Sequence, residues 1–172
     1  FRDLVSPQVS FRSNSTTRMT TSKQYDCLGR LSSISSISSP ASGVSASTVS
    51  FAYDYNDANQ RTRVTAEDGS YWLYDYDKLG QLISGKRYWA DGTAVAGQQN
   101  EYAFDDIGNR TSTKAGGEAG GTGLRSASYS ANSLNQYTSR DVPGAADVIG
   151  IAHPSATVTV IVSSAPTRTK RA

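Results

Sequence analysis

One cysteine, one histidine and one methionine occur in 172 residues. With Cys27 alone, no intramolecular disulfide can form. With His153 alone, a Ser-His-Asp arrangement would have to be built around a residue followed directly by Pro154, and no Gly-x-Ser-x-Gly elbow accompanies it. No apolar run approaches the roughly 20 residues of a helical membrane span. A net charge of +2 is too mild to imply a nucleic-acid partner, and the basic end, Arg168 to Arg171, reads as a solvated tail. Amphipathic 3.6-residue periodicity is missing, so no helix is expected. The chain begins with Phe1 rather than Met. The lack of a visible signal peptide therefore says little.

Tyrosine is abundant, with ten copies. Many of these rings belong to a short pattern that returns. It runs Tyr25-Asp26-Cys27-Leu28-Gly29-Arg30, then Tyr55-Asn56-Asp57-Ala58-Asn59-Gln60, then Tyr76-Asp77-Lys78-Leu79-Gly80-Gln81, then Phe104-Asp105-Asp106-Ile107-Gly108-Asn109. Recurrence at roughly 20–30 residues marks a repeat architecture, whose function resides in the surface its units build together. A degenerate fifth unit, longer than the others, is read between Tyr129 and Tyr137.

Each copy reads as a turn between two strands. Asp26, Asp77 and Asp105 suit the first turn position, because a carboxylate there accepts backbone N–H groups further along. Gly29, Gly80 and Gly108 suit a following left-handed residue, and Asn59 is the next best residue for it. The flanks alternate aromatics at period two: Phe51, Tyr53 and Tyr55; Trp72, Tyr74 and Tyr76; Tyr102 and Phe104. Such spacing puts the rings on one face of each strand, and stacked units would align them as cross-strand pairs. The third turn position is always apolar (Leu28, Ala58, Leu79, Ile107), which implies that each tip packs on a neighbour.

Glu67-Asp68-Gly69 joins residues 61–66 to 70–76 as a further hairpin, and Trp89-Ala90-Asp91-Gly92 ends another strand. The Ser-rich stretch 31–50 fits a strand, a loop at Pro40–Gly43 and a second strand. Residues 115–123 are Gly-rich and read as an exposed loop, and Ala156 to Val162 as a strong β segment. The resulting division is an irregular N-terminal remnant (1–22), a repeat region (23–140), and a post-repeat β segment with a disordered basic tail (141–172).

Chemical sites are poorly supported. Asp54 to Asn59 has the wrong oxygen spacing for a calcium loop, no sharp-turn Gly and no distal Glu. Gly116 to Gly123 lacks the Lys-Ser/Thr and helix of a phosphate loop. Asp75/Asp77 and Asp105/Asp106 are carboxylate pairs without an apolar pocket to separate their pKa values. No cofactor or metal is expected. Trp72, Tyr88 and Trp89 are candidate contacts for a glycan or a partner protein.

The run Tyr74-x-Tyr76-Asp77-x-x-Gly80-Gln81-Leu82 resembles the YD repeat of Rhs proteins, Tc-toxin shell subunits and teneurins, and the likeness extends over about 25–137. It implies an all-β antiparallel hairpin ribbon, part of a wound β-shell that encloses or displays a toxin or surface domain. With so few copies, the chain resembles a fragment of such a shell. The implied protein is non-enzymatic, bacterial, and secreted or displayed at the cell surface. Its implied partners are the rest of its own shell and an encapsulated toxin domain. The alternative, read from Trp72, Tyr88 and Trp89, is a β-rich carbohydrate- or protein-binding module of a cell-surface protein. Isolated, it should self-associate through unpaired strand edges.

Overall fold

The computed structural model describes residues 8–39 and 46–142, together with residues 144, 157 and 159. The Pro40–Gly43 loop, His153, the Ala156–Val162 segment as a whole and the basic tail lie outside these. Eleven strands follow one another: β1 (Gln8–Ser13), β2 (Thr16–Tyr25), β3 (Leu31–Ser38), β4 (Thr48–Tyr55), β5 (Arg61–Ala66), β6 (Tyr71–Tyr76), β7 (Leu82–Tyr88), β8 (Ala94–Phe104), β9 (Arg110–Gly116), β10 (Leu124–Ala131) and β11 (Tyr137–Arg140). Every strand pairs antiparallel with its chain neighbours, giving one open sheet in sequential order. Among the described residues, β1 and β11 each have a single strand partner. No helix occurs among the described residues.

This is the hairpin ribbon that the aromatic alternation implies, with two corrections at its ends. Residues 8–22, read from sequence as irregular, form a β1–β2 hairpin continuing into β3, with Phe11 opposite Met19 and a Thr21–Ser36 hydroxyl pair at 2.8 Å. Dispersed Thr and Ser hide the alternation there, yet β-branched Thr suits a pleated surface. At the Gly-rich stretch, the loop begins only after Gly116, because Ala115 and Gly116 still pair with Asn100 and Gln99.

Cross-strand register sorts the side chains onto two faces. Phe51 opposite Ala66, Tyr53 opposite Val64, Val64 opposite Trp72, and Tyr74 opposite Gly85 define an aromatic face, which Tyr102 and Tyr129 extend. The other face is mainly polar. Lys86 and Lys114 grip Glu101 there at 2.6 and 3.4 Å, and Tyr71 stacks on Tyr88 with centroids 5.4 Å apart. Because a single layer covers neither face, the only buried apolar side chains among the described residues are Val95 and Ala127.

The densest point is an irregularity between β7 and β8. Lys86 pairs with Gln99 and Tyr88 with Ala94, so the intervening residues of β8 bulge out of the ladder. Gln99, 1% exposed, replaces the lost bonds: its Nε2 donates to Arg87 O (2.7 Å) and Val95 O (3.2 Å). Gly97 N donates to Gly117 O at 2.7 Å. Gly117 has φ +91°, and a Cβ there would meet Gln99 Cγ and Thr122 O, each at 3.2 Å. The glycine-rich sequence thus lets the loop close over the bulge.

Candidate functional site

The repeated turns form a row along one edge of the sheet. Asp26, Asn56, Asp77, Asp105 and Asn132 each place Oδ1 over the turn, accepting two backbone N–H groups. For Asp77 these are Leu79 N and Gln81 N, both at 2.9 Å. For Asn132 they are Leu134 N (2.9 Å) and Gln136 N (3.0 Å). A backbone bond closes each turn, as with Gly80 N to Asp77 O at 3.1 Å. The residue two before the exit strand is left-handed in all five copies: Gly29 (+76°), Asn59 (+61°), Gly80 (+83°), Gly108 (+89°) and Asn135 (+60°). Since Asn tolerates this conformation best after Gly, a type I turn with an αL bulge accounts for the choice.

The fifth unit is therefore no longer than the rest. It begins at Ala131, which takes the place of the leading aromatic, while Tyr137 pairs across the bulge with Ala131. The missing ring at its head is what disguised its frame.

The last turn residue has a role that the repeat pattern alone did not assign. Arg30 Nε reaches Asp26 Oδ2 (2.6 Å), Gln81 Nε2 reaches Asp77 Oδ2 (3.0 Å) and Asn109 Nδ2 reaches Asp105 Oδ2 (3.0 Å). Where Asn replaces Asp the direction reverses, with Asn56 Nδ2 donating to Gln60 Oε1 at 2.8 Å. These residues also touch the next turn. Arg30 Nη1 donates to Asn59 Oδ1 (3.0 Å) and Asn109 Nδ2 to Asn135 Oδ1 (3.3 Å). A Cβ on Gly80 would lie 3.1 Å from Gln60 Nε2.

Neighbouring tips thus pack through the last residue and the left-handed one, not through the apolar third residue. Leu28, Leu79 and Ile107 are 68%, 70% and 70% exposed. The expectation that they pack on neighbouring tips is corrected: a side chain at the turn apex points along the strand axis, whereas the adjacent turn lies beside it.

The aromatics are also arranged differently from direct cross-strand pairs. Each unit is a two-stranded hairpin, so the rings of β4, β6 and β8 sit on alternate strands, about 9–10 Å apart. Arginines, a glycine and ring hydroxyls occupy the spaces between. Arg61 lies over Tyr53 (4.4 Å), Arg30 over Tyr55 (4.9 Å) and Arg110 over Tyr102 (5.0 Å). Such contacts contribute about 0.5–1 kcal/mol each at exposed sites. Gly85 leaves room for the Tyr74 ring, which a Cβ would meet at 3.5 Å. Tyr55 Oη donates to Leu31 O (2.9 Å) and Tyr76 Oη to Arg61 O (2.8 Å), tying each unit to the one before.

The three candidate contact rings are not brought together. Trp72 pairs with Arg87 on the aromatic face, Tyr88 lies on the opposite face against Tyr71, and Trp89 stands 45% exposed at the start of a turn. Among the described residues, no cluster of three His, Cys, Asp or Glu could hold a metal ion.

Hydrogen bonding sets the acid behaviour of the turns. The Asn109 side-chain amide, aided by backbone N–H groups, holds Asp105 below the ordinary aspartate value of 3.8. The Ser70 hydroxyl does the same for Asp68, and Lys86 holds Glu101 below the ordinary glutamate value of 4.5. A carboxylate depressed in the folded state stabilises the fold above its unfolded pKa, and that contribution disappears as pH falls through the folded value. Unfolding should therefore ease below about pH 4. Asp105→Asn keeps an acceptor, as Asn56 and Asn132 show, so neutral-pH stability should change little while the acid dependence shrinks. Denaturant midpoints at pH 7 and pH 3 check this. An undiminished acid dependence would clear Asp105 of the effect.

Residues 55–94 match the RHS Repeat family. The crystal structure of TcdB2-TccC3-Cdc42 is similar to this chain with a TM-score of 0.59 at 19% identity, over 77% of this chain and 7% of that one. The crystal structure of TcdB2-TccC3-TEV gives 0.58 at 19% identity, over the same shares. No curated protein matches the sequence. The likeness to the Rhs/YD-repeat family thus stands on residues 55–94, and the antiparallel ribbon shares its fold with the TcdB2-TccC3 structures. This chain spans about 7% of the length of those structures.

Proposed function

We propose that this chain is a stretch of wall in a YD-repeat β-shell, with a mechanical role in a secreted or surface-displayed bacterial protein. It works without catalysis of its own, by helping to enclose or display a toxin or surface domain. The observation that carries this reading is the single-layer sheet itself. Five stitched turns and a continuous aromatic face are kept in register although, among the described residues, only Val95 and Ala127 are buried apolar side chains. A globular domain would fold a second layer over that face. A wall gains its stability from nearest-neighbour contacts between repeats. In this reading the repeat region spans 23–140, and the strands before it extend the same sheet.

The flanking gene sequence tests it. In-frame Tyr-Asp-x-x-Gly units on both sides are the expected result. Start and stop codons bounding these residues would overturn it.

The same reading makes the isolated chain associate. Among the described residues β1 and β11 are the open edges, and Phe11, Val9 and Tyr137 stand 60%, 54% and 53% exposed on them. Analytical ultracentrifugation should show concentration-dependent oligomers. A monodisperse monomer at high concentration would contradict the open-edge account.

A further inference from the structure

On the aromatic face, Phe51, Val64, Ala66, Ser70, Trp72 and Arg87 line a hollow of about 300 Å³. That volume is at the lower end of small-ligand sites, which run from roughly 300 to 1,000 Å³. Its lining is largely apolar, with one cation at its margin. Arg87 lies directly opposite Trp72 in the β6–β7 register. Its guanidinium is fixed rather than free to swing: Nη2 donates to Ser70 Oγ (3.1 Å) and Nη1 to Gln98 Oε1 (3.3 Å). Ser70 is itself buried, at 2% exposure.

Arg87 takes part in none of the ion pairs among the described residues. Asp68 feels its field, but the Asp68 Oδ1 is engaged by the Ser70 N–H at 2.9 Å. An oriented guanidinium carries five donors, of which two are used here, and its fork matches a carboxylate. Beside it the Trp72 ring runs nearly parallel to that of Tyr74, at 5° and 6.2 Å between centroids. A neutral apolar ligand would leave the cation unpaired. A bare inorganic anion would leave the aromatic surface unused. The two together call for a ring with an apolar face and a carboxylate on its rim.

We infer that the hollow between Trp72 and Arg87 binds a carboxylate-bearing sugar ring, such as a uronic acid residue of an acidic glycan, with the pyranose C–H face on the indole and the carboxylate on the guanidinium. Ser70 Oγ and Gln98 Oε1 hold that guanidinium in place for the carboxylate. The site is formed within residues 51–98 and does not require the wall to close.

The test titrates the chain with trigalacturonate, maltotriose and benzoate, in a Trp89→Phe background so that Trp72 is the only indole reporter. Trigalacturonate should quench Trp72 saturably, with maltotriose at least about tenfold weaker. Arg87→Gln should cost a similar factor without changing the denaturation midpoint much. Equal affinity for the acidic and neutral trisaccharides, or no saturable response, would overturn the site. Benzoate binding more tightly than trigalacturonate would overturn the sugar assignment in favour of an aromatic acid. If Arg87→Gln does not fold, the comparison of ligands on the Arg87 protein still decides. None of these failures bears on the shell reading, which rests on the sheet and its turns.

Discussion

Gln99→Leu is expected to lower stability by roughly 2–4 kcal/mol, the largest effect of any single side chain in the sheet. The substitution keeps the volume but removes the Nε2 donor that serves Arg87 O and Val95 O. Each buried carbonyl left without a donor costs about 1–3 kcal/mol. Gln99 also sits where burial is concentrated, beside Gly116 and under the loop that Gly117 allows to close. Urea denaturation followed by tryptophan fluorescence should show a markedly earlier midpoint. An unchanged midpoint would mean that the β8 bulge finds other donors and that the amide is dispensable.

Gly80→Val should follow closely, at about 1–3 kcal/mol. A β-branched residue at φ +83° is strained wherever it stands. Here the new Cβ also crowds Gln60 Nε2 at 3.1 Å, so the strain reaches the preceding turn, whose Gln60 clasps Asn56. Gly29 provides the comparison, because nothing lies within 4 Å of a Cβ built there. Gly29→Val should cost less than Gly80→Val, and the difference measures the contact between turns. Gly80→Asn should be mild, since Asn59 and Asn135 hold the same conformation. Equal losses at positions 29 and 80 would show that adjacent tips do not support one another.

The turns were legible in the sequence because their chemistry is local. Asp, Asn and Gly at fixed offsets specify an Asx-closed turn with a left-handed exit, and no distant residue is needed to read it. The strands beside them were legible from Phe51, Tyr53 and Tyr55 and the equivalent runs, because period two survives in a single strand. What escaped depends on which strands become neighbours. The placing of Arg61, Arg30 and Arg110 over Tyr53, Tyr55 and Tyr102 follows only from the register. Gln60, Gln81 and Asn109 end the repeated pattern, but that each closes its own turn is visible only in the structure. The β7–β8 bulge is a non-local event, and nothing in residues 94–99 announces that Gln99 must replace backbone donors.

The candidate ligand contacts divide in the same way. Trp72 was marked out by its type. Its pairing with Arg87, fifteen positions on, follows only from the β6–β7 register, and that register also carries Tyr88 to the other face. Tyr88 and Trp89 are neighbours in sequence to each other but not in the sheet to Trp72, and only the register says so.

The wall reading is tested most directly by electron cryomicroscopy of the full-length gene product that contains this segment. The account predicts a hollow particle in which residues 8–142 form one curved, single-layered stretch of wall, with the five turns lying in a row along one edge. A compact domain with helices or a second sheet packed over Trp72, Tyr74 and Tyr102 would contradict it.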